Sequence, residues 1–122
     1  MIIRSENRRI EERPIRRAKD IQNRQQILSF LQEAVDNWLE RSENEGKFFS
    51  ASTFVGGERA HNWSDIPPGT LFDRHIRLGK SPEDSHTEAG KDIGYFLREV
   101  LMNDERTFES RPGGKSRKYR II

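Results

Sequence analysis

A chain of 122 residues, 34% charged and 32% hydrophobic, has the length of one domain with a compact core and some sequence left outside it. It contains no cysteine, which excludes disulfides and thiol catalysis and fits a reducing compartment. The net charge of +2 is unevenly placed: residues 1–24 carry eight basic and four acidic side chains and residues 106–122 carry six against one, so the stretch between is acidic. Such a field attracts a polyanion at both ends and repels it over the centre.

The opening residues show no long apolar run before a small-residue cleavage site, and no apolar stretch anywhere reaches membrane-spanning length. The expectations are therefore no secretory leader, no membrane partner and a cytoplasmic location. Residues 1–13, with only Ile2, Ile3 and Ile10 as large apolar side chains, read as a polar basic arm, frayed or helical only in context. Residues 14–122 read as a single domain. Pro14 suits the first turn of a helix, and from Ile27 onward Leu28, Leu31, Ala34, Val35, Trp38 and Leu39 draw one apolar stripe. That spacing predicts a long helix starting at Pro14 or near Asn23 and ending around Ser42 to Gly46. Its stripe serves either the core or, through Trp38 and Leu39, a homodimer interface.

The segment from Lys47 to Val55, rich in aromatic and β-branched residues, reads as a short strand or as an extended lead into a helical turn at Ser50. Gly56 to Gly69 is punctuated as a loop. Thr70 is placed to cap a short helix, Leu71 to Leu78, stopped by Gly79 and Pro82. Ser85-His86-Thr87-Glu88 has the spacing of a capping box, and Ala89, Ile93, Phe96, Leu97, Val100 and Leu101 continue as an amphipathic stripe to about Asn103. The opposite face is expected to show Lys91, Asp92, Tyr95, Arg98, Glu99 and Met102. Gly94 within this helix costs about 1 kcal/mol against alanine and points to a close approach by a backbone or ligand.

Two β-prone runs, Arg106 to Ser110 and Arg117 to Ile122, flank a turn containing Pro112, Gly113 and Gly114, and together they predict an antiparallel hairpin. Alternation places Phe108, Tyr119 and Ile121 on the core face, Lys118 and Arg120 on the other, and Arg117 near the turn. The fold class is accordingly mainly α with a C-terminal β-hairpin.

An amphipathic helix, a strand, a Gly-rich basic loop and a closing Lys118-Tyr119-Arg120-Ile121 resemble the second half of a winged helix-turn-helix domain, over roughly residues 65–122, with the helix from 27 to 43 standing as the first helix. The resemblance implies a recognition helix in the major groove of duplex DNA and a hairpin, the wing, along the backbone or minor groove. It implies a small transcriptional regulator or accessory factor.

The residues support the same partner. Arg111, Lys115, Arg117, Lys118 and Arg120 fall within ten positions, and on a formed hairpin they are expected along one ridge able to release counterions from a duplex. Gly113 and Gly114 allow close backbone approach to phosphates. Thr87, Lys91, Tyr95 and Arg98 are the helix residues with reach into a groove, and Arg8, Arg9, Arg16 and Arg17 form an arm along the duplex.

Two rival readings carry weight. His61, His75 and His86 with Asp65, Asp73, Asp84 and Glu88 invite a metal-dependent nuclease, yet no two histidines share a ligand spacing. His75 is expected on a helix surface and His86 in a first helical turn. No nucleophile elbow, Walker loop or dinucleotide fingerprint is present, so a binding protein without metal or cofactor is expected, not an enzyme. The stronger rival is a docking module of winged-helix fold that uses a protein partner, as a phage or plasmid accessory factor or inhibitor would.

Overall fold

The computed structural model describes residues 1–4, 23–55, 67–113 and 117–122. In chain order these form β1 (Ile2–Arg4), α1 (Arg24–Glu40), a single 3-10 turn (Ser42–Asn44), α2 (Ala51–Val55), α3 (Gly69–Arg77), α4 (Pro82–Asn103), β2 (Phe108–Arg111) and β3 (Lys118–Ile121). The described chain is thus mainly helical with a small mixed sheet, and among the described residues no helix is long and apolar enough to cross a membrane.

Helix α1 buries Ile27, Leu31 and Val35, one residue per turn, against α4, as the stripe in the sequence requires. Trp38 and Leu39 are half-buried on the chain's own core, with the Trp38 ring centroid 6.1 Å from Phe49 and 6.3 Å from Phe54 in edge-on geometry.

The N-cap of α4 lies four residues before the expected Ser85. Ser81 is the N-cap, its Oγ accepting from Asp84 N–H at 3.1 Å, with Pro82 in the first turn and Glu83 and Asp84 facing the positive end of the helix dipole. Ser81-Pro82-Glu83-Asp84 repeats the cap-to-carboxylate spacing of Ser85 to Glu88 and adds a proline with preset φ, so nucleation moves to the earlier site. Ser85 is then wholly buried inside the helix. Thr70 does not cap α3 either. Its Oγ1 donates to Pro67 O at 3.0 Å, and the N-cap position is Pro68.

Four residues, Leu78 to Ser81, join α3 to α4. Gly79 has φ +88°, Gly79 N–H reaches Ile76 O at 3.0 Å and Lys80 N–H reaches His75 O at 3.2 Å. This paired bonding satisfies the last carbonyls of α3 and turns the chain back so that α3 and α4 pack together.

The hairpin forms as expected, with Phe108 opposite Ile121, Ser110 opposite Tyr119 and Arg111 opposite Lys118. Its inner face buries Phe108, Ser110 and Tyr119, but Ile121, expected in the core, is 37% exposed because, as the last residue of β3, it lies at the rim of the core. An additional strand lies within the segment read as an arm: Ile2–Arg4 pairs in parallel with Phe108–Ser110, and Ile2 is fully buried. The backbone amine of Met1 donates to the carbonyls of Leu101, Asp104 and Arg106 at 2.9–3.1 Å. On the far side of β3, Phe49 and Tyr119 exchange backbone hydrogen bonds of 2.7 and 2.8 Å, so the extended residue before α2 borders the sheet. One core unites these parts, with Phe49, Phe96, Phe108, Ile93 and Leu97 at its centre.

Candidate nucleic-acid interface

The pitch of α4 leaves Thr87, Gly90, Lys91 and Tyr95 exposed along one face, with Gly94 and Arg98 half-buried beside them. A methyl group added at Gly90 or at Gly94 meets no atom of a described residue within 4 Å. Lys91 Nζ lies 3.3 Å from Glu88 Oε1 one turn back, a surface pair too weak to withhold the ammonium from a partner.

Two acidic positions expected on this face are elsewhere. Asp92 is fully buried and accepts from His75 Nε2 at 2.8 Å, and His75, expected on the surface, is itself 2% exposed. Glu99 is half-buried and paired with Arg24 of α1. Met102 is half-buried on the core. Both carboxylates are thereby taken up in joining helices, which leaves the outward face of α4 less repulsive to phosphates than the sequence implied.

On the hairpin, the pleat sorts the cations into two groups. Arg117 leads into β3 and its Nε donates to Ser110 Oγ at 2.8 Å, on the side of the sheet that faces the helices. Burial pushes the Tyr119 hydroxyl above its ordinary value, while the positive charges of Arg117 and Arg98 act on it in the opposite direction.

Arg111, Lys118 and Arg120 take the other parity and lie on the outer face of the sheet. There the half-buried Phe48 carries the two arginines, with Arg111 Cζ 3.8 Å and Arg120 Cζ 4.6 Å from its ring centroid. Arg120 Nε also donates to Glu109 Oε2 at 2.8 Å across the two strands. The single cationic ridge expected from the sequence is thus divided between two faces, because alternate residues of a strand point to opposite sides. Gly113 is half-exposed two residues beyond β2, the last described residue on that side of the turn. Arg8, Arg9, Arg16, Arg17, Gly114 and Lys115 lie outside the described residues, as do His61 and Asp65.

Among the described residues no group of three or more histidine, aspartate or glutamate side chains is arranged to hold a metal ion. Phe48 does not stand out in the sequence, since nothing but sheet parity separates it from the buried Phe49. The Lys80–His75–Asp92 chain does not stand out either, although Asp92 falls between Ala89 and Phe96 at helical spacing and so sits on the buried stripe. Comparison with protein-family models, with curated proteins and with solved structures finds no match to this chain.

Proposed function

We propose that the chain is a DNA-binding protein of winged-helix type, a small regulator or accessory factor that acts in the cytoplasm and seats duplex DNA on the outward face of α4 and on Arg117 of the hairpin. The order of elements supports this reading: α3, a four-residue turn containing Gly79, α4 and then a hairpin follow the sequence of a helix-turn-helix with a wing. The observation that carries it is the open face of α4, where Thr87, Lys91 and Tyr95 stand exposed while Asp92 and Glu99 are taken up in contacts with other helices.

On this reading Lys91, Tyr95 and Thr87 line the helix that enters the groove, and Arg98 of the same helix and Arg117 of the hairpin take phosphates. Gly90 and Gly94 keep the face low, so the helix axis comes closer to the duplex than side chains at those positions would permit. Phosphate contacts of this kind are independent of base sequence and fall with salt.

The test is titration of the triple variant Lys91→Gln/Arg98→Gln/Arg117→Gln onto random-sequence duplexes at two salt concentrations. Weaker binding to every duplex is expected, with a salt slope shallower by about one for each phosphate that the variant no longer neutralises. Unchanged affinity and slope would reject the assignment.

A further inference from the structure

We propose that the outer face of the sheet is a second contact surface for duplex DNA, so that one copy of the chain holds two duplex segments. This rests on the reading of α4 and Arg117 as a DNA seat and goes beyond it.

The outer face has its own construction. Arg111 and Lys118 are register partners, both exposed, at the end of the hairpin next to the turn. Arg120 stands two residues along β3 and is fixed by Glu109, and Phe48 lies under the guanidinium groups of both arginines. Among the described residues three cations thus face one carboxylate, and Arg111 makes no ion pair with any of those residues. A guanidinium already stacked on an aromatic ring keeps its planar fork presented and gives up less side-chain freedom when it grips a phosphate.

This surface cannot serve the same straight duplex as the first. Arg117 is bonded to Ser110 on the helix-facing side, and Arg111, Lys118 and Arg120 project from the opposite side of the same two strands. Double-stranded DNA stays straight over about 150 base pairs, far beyond the width of a hairpin, so a duplex lying on α4 does not fold round the sheet edge to reach the outer face. Charge complementarity calls for an anion there, and the spread of three cations over two strands suits a row of phosphates better than a single small ion.

The experiment uses the full chain, a bead-immobilised duplex and a free fluorescent duplex of different length, at low salt. The chain should be captured on the beads and should retain the free duplex in proportion to the protein bound. Arg111→Gln/Lys118→Gln, two exposed substitutions, should still be captured while retention of the free duplex falls on the order of tenfold. Capture without retention by the unaltered chain overturns this proposal and leaves the α4 seat standing. Undiminished retention by the variant also overturns it, since the bridge then runs through another surface or through paired copies. Loss of both capture and retention by the variant overturns it too, because the two faces would be acting as one. Failure of the unaltered chain to be captured overturns this proposal and the DNA reading together.

Discussion

His75 Nε2 lies 2.8 Å from Asp92 Oδ2, with the two side chains 2% and 0% exposed, and this contact joins α3 to α4 inside the protein. Lys80 Nζ stands 2.8 Å from the other ring nitrogen, Nδ1. An ammonium has only donors, so Nδ1 is the acceptor and the ring proton sits on Nε2, where it is donated to Asp92. The Gly79 turn delivers Lys80 to this position. Removing the carboxylate leaves a buried ring N–H without its partner, and Asp92→Ala is expected to cost about 3 kcal/mol of folding stability. The exposed Asp73→Ala on α3 is the control and should change little. Denaturant unfolding of the two variants measures the difference.

A second polar cluster governs behaviour in acid. Arg106 donates to both oxygens of Asp104 at 2.8–2.9 Å and to Asp36 at 2.6 Å, while Gln32 donates to Asp104 at 3.0 Å. The Arg106 guanidinium holds the Asp104 carboxyl well below its ordinary value of 3.8. A carboxyl with a lowered folded-state value binds its proton more readily in the unfolded chain. Its contribution is therefore complete above the ordinary value and is lost as the pH falls from there through the folded-state value. Asp104→Asn is expected to cost about 1–2 kcal/mol at neutral pH and to flatten the decline of stability in acid, as read from urea midpoints across that range.

The two glycines of α4 separate stability from function. Among the described residues neither has an atom within 4 Å of where a Cβ would stand, so none of those residues requires their small size. Gly90→Ala and Gly94→Ala should each stabilise the fold by about 1 kcal/mol through helix propensity alone. If the outward face of α4 seats closely on DNA, the double variant will at the same time bind duplex more weakly. Raised thermal stability with unchanged affinity would show that the helix keeps its distance.

The parts of this fold legible in the sequence are those set by local spacing. The Ile27, Leu31 and Val35 stripe specifies α1, and the glycine-containing turn between two β-prone runs specifies the hairpin. Strand β1 is not legible, because three residues carry no periodicity and their parallel partners stand more than a hundred positions away. Two serines with equivalent downstream carboxylates compete to start α4, and the proline after Ser81 decides between them. The charge of Asp92 argues for an outward position, since the partner that makes its burial tolerable, His75, belongs to another helix. The site is legible as a set of cations but not as two faces, because the side on which each cation emerges depends on strand register and on Phe48, which reaches the sheet only through the Phe49 to Tyr119 bridge.

The central proposal is that the outward face of α4, with Arg117 of the hairpin, holds the phosphates of duplex DNA. The most direct measurement is the dissociation constant of the unaltered chain for a random-sequence duplex over a range of salt concentrations. The account predicts binding at low salt, with the logarithm of the association constant falling linearly by about 0.9 per neutralised phosphate against the logarithm of salt. No binding at low salt, or binding indifferent to salt, would contradict it.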